Sequence, residues 1–172
     1  MNHELSVDVW VERSKHSHII YALDKKTGSP RCTSIQAYLS EYNYGRISHT
    51  TNYRGDHSEL SAIILTGDLF DEPMLPLSVV PCKLLGMFDI QTMDVDMNTM
   101  HRSTMIVCPS REIDPRTPYY NNINVIDEQT QRNIRYSELA NMSSNDVVLY
   151  ADFIGQQEAT DEYIKSLNWE TD

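Results

Sequence analysis

Short apolar segments, rich in β-branched residues, recur along this chain and are separated by polar turns that contain Gly or Pro. The first alternates around Val7, Val9 and Val11, and the run at 19–23 leads into a Gly-containing turn at 24–28. Apolar runs closed by such turns are typical of β-strands and hairpins. Further strands are predicted at residues 60–65, 77–87, 104–109 and 146–153.

Two segments in the C-terminal third carry helical spacing instead. Residues 127–141 place Ile134, Tyr136 and Leu139 on a polar background, which predicts an exposed amphipathic helix. Residues 157–169 predict a final helix with one apolar face. The pattern as a whole is that of a mainly β, α+β protein.

The totals describe an ordinary soluble composition. A chain of 172 residues, 40% hydrophobic and 23% charged, is most simply one domain spanning 1–172. Its net charge of −11 disfavours nucleic acid and anionic membranes as partners, because both require a basic surface. The same charge permits cation binding or a basic protein partner.

The cysteines and the apolar stretches indicate the cellular compartment in which the protein is expected. Cys32, Cys82 and Cys108 are odd in number, far apart and in no Cys-x-x-Cys pair, so neither a disulfide framework nor a zinc site is predicted. No N-terminal signal pattern and no apolar stretch of about 18 residues is present. We therefore expect reduced thiols in a cytoplasmic protein.

A polar stretch at 43–59 precedes a buried strand and carries candidate chemistry. It ends in a Gly-Asp turn that sets Asp56 and Glu59 three residues apart. Carboxylates that converge at the mouth of a strand can bind a hard cation such as Mg²⁺. The alternative is a polar loop joining two strands, since Gly, Asp and Asn are common in loops.

The segment 89–102 is rich in Met and Asp and predicts the tip of a hairpin. Asp94 and Asp96 stand at alternate positions, so in a strand they would share a face and could share a cation. The alternative is an exposed hairpin with solvated acids. Met93, Met97 and Met100 would form either an adaptable contact surface or ordinary core.

Residues 44–50, followed by Gly55, Asp56 and Glu59, resemble the centre of the family I (soluble) inorganic pyrophosphatases. That family carries Asn-Tyr-Gly-Tyr-Ile-x-x-Thr and then Asp-Gly-Asp-Pro-x-Asp leading into a strand. The similarity extends, element by element, over residues 21–169. It implies a closed five-stranded OB-like β-barrel with flanking helices, Mg²⁺-dependent phosphate chemistry and a homo-oligomer.

The resemblance also assigns roles. Asp56, Tyr44 and Tyr136 match family positions and become the catalytic candidates. The metal candidates are Asp56 and Glu59, joined by Asp94 or Asp96 from the acidic hairpin.

The chain departs from the family where the chemistry is concentrated. Arg54 replaces the first acid of the signature turn, and Arg102 replaces a second acid before the strand that ends at Pro109. Four further positions, three of which hold a cation in the family and one a carboxylate, carry uncharged residues here: Ile20, Ala22, Thr104 and Ser137. Pyrophosphate needs bound metal and a positive clamp. The departures therefore predict a pyrophosphatase-like pseudoenzyme that acts as a binding or scaffold protein, with a protein partner as its possible ligand.

The rival hypothesis keeps catalysis. Mg²⁺ held by the surviving carboxylates would act with a rearranged phosphate clamp of Arg31, Arg54 and Arg102, because arginine suits bidentate phosphate contacts. Such a hydrolase would act on pyrophosphate or another phosphoanhydride, for example a nucleotide. For Arg31, ordinary surface solvation is the alternative.

Overall fold

The computed structural model describes residues 5–66, 72–113, 115, 122–142 and 144–167. Its strands alternate with polar turns, as the period-two pattern predicts. The elements are β1 (Ser6–Arg13), β2 (Ile19–Leu23), β3 (Pro30–Ile35), β4 (Asn43–Ile47), β5 (Ser61–Ile64), β6 (Val79–Met93), β7 (Thr99–Pro109), a 3-10 turn (Ile123–Val125), α1 (Glu128–Ala140), β8 (Val147–Ile154) and α2 (Gln156–Leu167).

The chain divides into two compact units. Unit 1 comprises Met1–Ser48, Ser61–Leu84 and Val107–Tyr119, and unit 2 comprises His49–Leu60, Leu85–Ile106 and Tyr120–Asp172. The long strands β6 and β7 each contribute residues to both units. The expectation of a single domain stays a prediction.

Five of the strands form a closed ring. The order β1-β4-β5-β7-β6 is completed by a pairing between β1 and β6, so five strands form a barrel. The inward side chains of β1 and β5 are buried, and Val9, Val11 and Ile63 have no exposed surface. This confirms the closed five-stranded OB-like barrel that the resemblance implied, and closure removes free strand edges.

Gly45 on β4 allows the close approach of β1. A Cβ at this position would lie 2.4 Å from the Trp10 backbone oxygen and 2.5 Å from Val9 Cγ1. Both of these contacts are on β1, which pairs with β4 through Gly45 and Val11. The Tyr-Gly step of the motif therefore has a packing role in the barrel wall.

Unit 2 is built on the second half of β6. Strand β8 pairs antiparallel with it, from Met87–Ile154 to Met93–Val147, with an irregularity between Gln91 and Thr92. Phe88 and Phe153 face each other with ring centroids 4.8 Å apart, and the Arg135 guanidinium of α1 lies 5.5 Å from the Phe88 ring centroid. Ile134 of α1 and Ala159 of α2 are fully buried, so both helices contribute to the core of this unit.

Most predicted elements are confirmed, and two boundaries are wrong. β6 extends to Met93 and β7 begins at Thr99, so the hairpin tip spans only 94–98 rather than 89–102. The Met and Asp residues concealed strand periodicity there, and Asp89 is a buried strand residue. For the final helix, positions 168 and 169 lie outside the described residues.

The three cysteines form no disulfide, with Cys82 and Cys108 buried and Cys32 exposed. Neither described helix has the length and apolar content needed to cross a membrane.

Candidate functional site

Arg54, at the first position of the signature turn, is bound by carboxylates of unit 2. Its Nε donates to Glu162 Oε1 of α2 at 3.1 Å, and its guanidinium lies 3.8 Å from Asp89 Oδ1 of β6. The side chains of Glu162 and Asp89 are each only 10% exposed. One arginine thus neutralises two largely buried acids.

Hydroxyl groups complete this cluster. The Ser103 hydroxyl donates to Asp89 Oδ1 at 2.8 Å and lies 3.4 Å from the Arg54 guanidinium, and Tyr53 donates to Glu162 Oε2 at 3.0 Å. Burial, together with the neighbouring Glu162 carboxylate, raises the pKa of Tyr53, and Arg54 opposes part of that rise. Protein donors therefore reach both oxygens of Glu162 and Oδ1 of Asp89.

A second cluster surrounds Glu138 of α1, whose side chain has no exposed surface. Its Oε2 accepts a hydrogen bond from the Thr104 hydroxyl at 2.7 Å and lies 3.7 Å from the Arg102 guanidinium. The other carboxylate oxygen, Oε1, has no hydrogen-bond partner among the described residues. Arg102 and Thr104, the two replaced family positions on β7, therefore share one buried acid.

Asp56, the surviving middle acid of the turn, is exposed and engaged locally. Its Oδ1 accepts from the Ser58 hydroxyl at 2.6 Å and from the Ser58 backbone N–H at 3.1 Å. Glu59 is half-buried just before β5. Gly55, which precedes Asp56, packs against Asn52 and the His101 backbone oxygen. A Cβ on Gly55 would lie within 2.6 Å of both.

Asp94 and Asp96 lie outside the strands, so of the two interpretations the shared strand face is wrong and the exposed hairpin fits. Both belong to the turn between β6 and β7. Asp94 accepts hydrogen bonds from the backbone N–H groups of Asp96 and Asn98 and from the Asn98 amide. The bonds from Asn98, with a smaller contribution from Asp96, hold the pKa of Asp94 below its usual range.

The remaining candidates are dispersed. Tyr44 is half-buried on β4, opposite Ile63, and Tyr136 on α1 is 71% exposed. Arg31 lies in unit 1, where it lines an open depression of about 580 Å³ beside Lys25 and Lys26 on the β2–β3 hairpin. Arg54 and Arg102 belong to unit 2, and the clamp of three arginines stays a prediction.

The carboxylates of the described residues do not gather into a magnesium centre. Mg²⁺ requires several oxygen ligands in near-octahedral geometry. Within the described ranges, no group of three His, Cys, Asp or Glu side chains is arranged to hold a metal ion. The two most buried carboxylates near the turn, Asp89 and Glu162, already share a protein cation.

Comparison with known proteins decides the family. The model of the inorganic pyrophosphatase family matches residues 9–169, almost the whole chain. This chain belongs to the inorganic pyrophosphatase family.

The similar proteins and the similar solved structure are also inorganic pyrophosphatases. An inorganic pyrophosphatase of Helicobacter pylori is 29% identical over 133 residues, covering 76% of this chain and 70% of that protein. One of Mycoplasma pneumoniae is 32% identical over 120 residues, covering 69% and 58% respectively. A solved H. pylori inorganic pyrophosphatase has a TM-score of 0.76 at 23% identity, covering 98% of this chain and 95% of that structure. The last likeness shows the shared fold.

Three acids that pair with these arginines could not be selected from the sequence. Asp89, Glu138 and Glu162 were not candidates, yet they bind the two arginines that replace family acids. The available signal was the arginines themselves, because a guanidinium that is partly removed from water favours a carboxylate partner. Arg46, which stands where the family motif has Tyr, likewise pairs with an acid, Glu12, at 3.2 Å in unit 1.

Proposed function

We propose that this pyrophosphatase-family protein has lost efficient pyrophosphate hydrolysis and acts as a binding or scaffold protein. The observation that carries the proposal is the Arg54 guanidinium, which stands at a metal-binding position of the family motif and is held by Glu162 and Asp89. A protein cation supplies the positive charge that these acids need, so they do not need a metal ion for neutralisation.

Electrostatics support this assignment. Two unit charges 4 Å apart near a protein surface interact by about 4 kcal/mol, so a divalent ion beside a guanidinium is opposed by roughly twice that before screening. Arg54 is 32% exposed, so solvent reduces the repulsion. The surviving acids Asp56 and Glu59 would have to overcome what remains.

Phosphate binding is weakened for a separate reason. Arg102 lies beside the fully buried Glu138, and Arg54 lies beside two acids. A phosphate that recruited either guanidinium would leave a buried carboxylate unpaired, which costs several kcal/mol. Thr104 and Ser137 replace cations of the family motif and cannot compensate.

The metal site can be tested directly. We expect calorimetric titration with Mg²⁺ and Mn²⁺ to give the same weak heats for the wild-type protein and for Asp56→Asn. Arg132→Gln is the matched control, because Arg132 is 58% exposed and Glu128, on the surface of α1, is its one ion-pair partner among the described residues. Stoichiometric binding by wild type and Arg132→Gln that is lost in Asp56→Asn would contradict the proposal and favour a rearranged hydrolase.

A further inference from the structure

Strand β8 forms an edge of the larger sheet. It ends the strand order and pairs with β6. Among the described residues, no backbone group outside β6 hydrogen-bonds to the backbone of residues 147–150. The irregularity opposite Gln91 and Thr92 also leaves Leu149 without a direct partner on β6. The start of β8 therefore offers backbone donors and acceptors that the described strands do not use.

The two halves of β8 differ in how this edge is protected. In the second half, the Arg135 guanidinium donates to the Ala151 backbone oxygen at 2.8 Å, and the Phe153 N–H donates to the Asp152 carboxylate at 2.8 Å. The first half reads Val-Val-Leu-Tyr and contains no charged residue and no proline, two common means of blocking an edge. Residues 147–150 are thus the accessible part of the strand.

The side chains of residues 147–150 are apolar or aromatic and exposed. Their exposed fractions run from 41% to 55%. Neighbouring residues of a strand point to opposite faces of the sheet, so the described residues do not fully cover either face of this segment. Exposed apolar side chains on an unpaired strand are typical of a surface to which another strand adds.

Acidic side chains stand at both ends of this segment. Asp146 lies directly before it, and Asp94 and Asp96 lie in the turn that continues from its paired residues on β6. Asp152 follows it, with a side chain that is 60% exposed and lies 3.6 Å from the Arg135 guanidinium. The acids outnumber this cation, so the local charge favours a partner with basic ends.

We propose that residues 147–150 bind an extended segment of a different protein, which adds a strand to the open edge of β8. The bound segment would carry apolar side chains at alternate positions and a lysine or arginine at each end. Backbone hydrogen bonds supply the affinity in this mode of recognition, and side chains supply the selectivity. The β8 edge of a second copy carries the same acids, so like charges oppose its pairing here.

This edge is separate from the residues that carry the proposed function. None of its side chains belongs to the Arg54 cluster or to the Glu138 cluster. The inference therefore goes beyond the proposed function and stands whether or not the protein hydrolyses pyrophosphate.

A synthetic peptide, acetyl-Lys-Val-Thr-Val-Thr-Val-Lys-amide, is the probe, because it places its valines on one face and a lysine at each end. Hydrogen exchange followed by mass spectrometry should show slower exchange at residues 147–150 when the peptide is added at about 0.1–1 mM, a range suited to a weak interface. Two control peptides should leave exchange unchanged. One has glutamate in place of both lysines, and the other is N-methylated at all its interior residues, which removes the backbone donors.

Substitutions in the protein locate the contact. In calorimetric titration with the lysine peptide, Val148→Lys should weaken binding by roughly tenfold or more, because like charges then meet. Asp146→Asn/Asp96→Asn should weaken binding less and reduce its dependence on salt. Val79→Lys is the matched control and should leave binding unchanged, since Val79 is 57% exposed, against 43% for Val148, and lies at the start of β6.

Unchanged exchange at residues 147–150 in the presence of the lysine peptide would overturn the proposal. Protection by either control peptide, or equal binding by Val148→Lys and Val79→Lys, would overturn it too. Protection that grows with protein concentration in the absence of peptide would make a second copy the occupant and would also overturn it. The peptide controls need no change in the protein, so the test does not depend on how Val148→Lys folds. Pyrophosphate turnover on the same samples keeps this result distinguishable from a failure of the proposed function.

Discussion

Arg54 pairs with two acids from different elements. Its guanidinium joins the signature turn to α2 through Glu162 and to β6 through Asp89, all within unit 2. The two acid side chains are each 10% exposed, so solvent screens their attraction to Arg54 only weakly. Removing the arginine would leave two neighbouring, largely buried carboxylates without a counter-charge.

Arg54→Gln should therefore lower the free energy of unfolding by about 1–3 kcal/mol, as expected when a partly buried ion pair loses one partner. A double-mutant cycle with Glu162→Gln, followed by urea denaturation, should give a coupling energy of about 0.5–3 kcal/mol. Arg132→Gln, which removes an exposed pair with Glu128, should cost at most about 0.5 kcal/mol. Additive effects of the two changes in the Arg54 cycle would show that the pair is not formed.

Thr104 is the second residue whose role is defined by a buried acid. Its hydroxyl donates to Glu138 Oε2 at 2.7 Å, and Glu138 has no exposed surface. Thr104→Val keeps the shape and removes the donor, so we expect a loss of about 1–3 kcal/mol in the free energy of unfolding. Thr99→Val, at the exposed start of β7, is the control and should be nearly neutral. Equal effects of the two changes would argue against the hydrogen bond.

At the scale of elements, α1 begins at a defined cap. The Asp127 carboxylate accepts from the Thr130 hydroxyl at 2.6 Å and from the Thr130 backbone N–H at 2.8 Å. These two bonds hold the pKa of Asp127 below its usual range. Folding thus favours the ionised form, and the helix N-terminus favours a negative charge as well.

Asp127→Ala should destabilise the protein by about 1 kcal/mol at neutral pH, the usual loss for an N-cap. Because the folded-state pKa is lowered, this contribution is present above the unfolded-state pKa of about 3.9 and is lost as the pH falls through the folded value. The difference between wild type and Asp127→Ala in chemical denaturation should therefore shrink below about pH 4. Asp127→Asn, which keeps an acceptor without charge, should cost less and show no such pH dependence.

The barrel wall gives a prediction about strand packing. Gly45→Ala would place a Cβ 2.4 Å from the Trp10 backbone oxygen, so β1 and β4 would have to separate. We expect a loss of about 1–3 kcal/mol in the free energy of unfolding, as for other overpacked sites. Gly155→Ala, whose Cβ would meet only Glu158 Oε2 at 3.9 Å, should lie within about 0.5 kcal/mol of wild type. Similar thermal unfolding curves for both variants would contradict this packing.

Most strands and helices could be predicted from the sequence, because the spacing of apolar residues within a short segment distinguishes a strand from a helix. The β2–β3 hairpin, β5 and α1 were predictable in this way, whereas closure of the barrel came from the family resemblance. The tip of the β6–β7 hairpin was placed too broadly, since Asp89 reads as a polar turn residue until its contact with Arg54 is known.

The candidate site was less accessible from sequence than the fold. Arg54 and Glu162 are 108 residues apart, so no spacing rule connects them. Likewise, the match between Arg102 and Glu138 depends on how α1 packs against β7 within unit 2. The sequence shows that Arg54 and Arg102 depart from the family motif, but their carboxylate partners can be identified only from the structure.

At the scale of the whole molecule, the chain combines a pyrophosphatase fold with arginines that pair with the protein's own carboxylates. Arg54 and Arg102 both pair with carboxylates of unit 2, and Arg46 pairs with Glu12 in unit 1. The net charge of −11 further disfavours a polyanionic substrate. The central claim is that the fold is retained while efficient hydrolysis is lost.

Phosphate release from pyrophosphate and from nucleoside triphosphates, measured across Mg²⁺ and Mn²⁺ titrations for wild type and Asp56→Asn, tests that claim most directly. We predict no metal-dependent turnover of the wild-type protein above that of Asp56→Asn, with both proteins shown to be folded by circular dichroism. Metal-dependent turnover by the wild type that Asp56→Asn abolishes would contradict the claim and would assign catalysis to a rearranged, arginine-containing site.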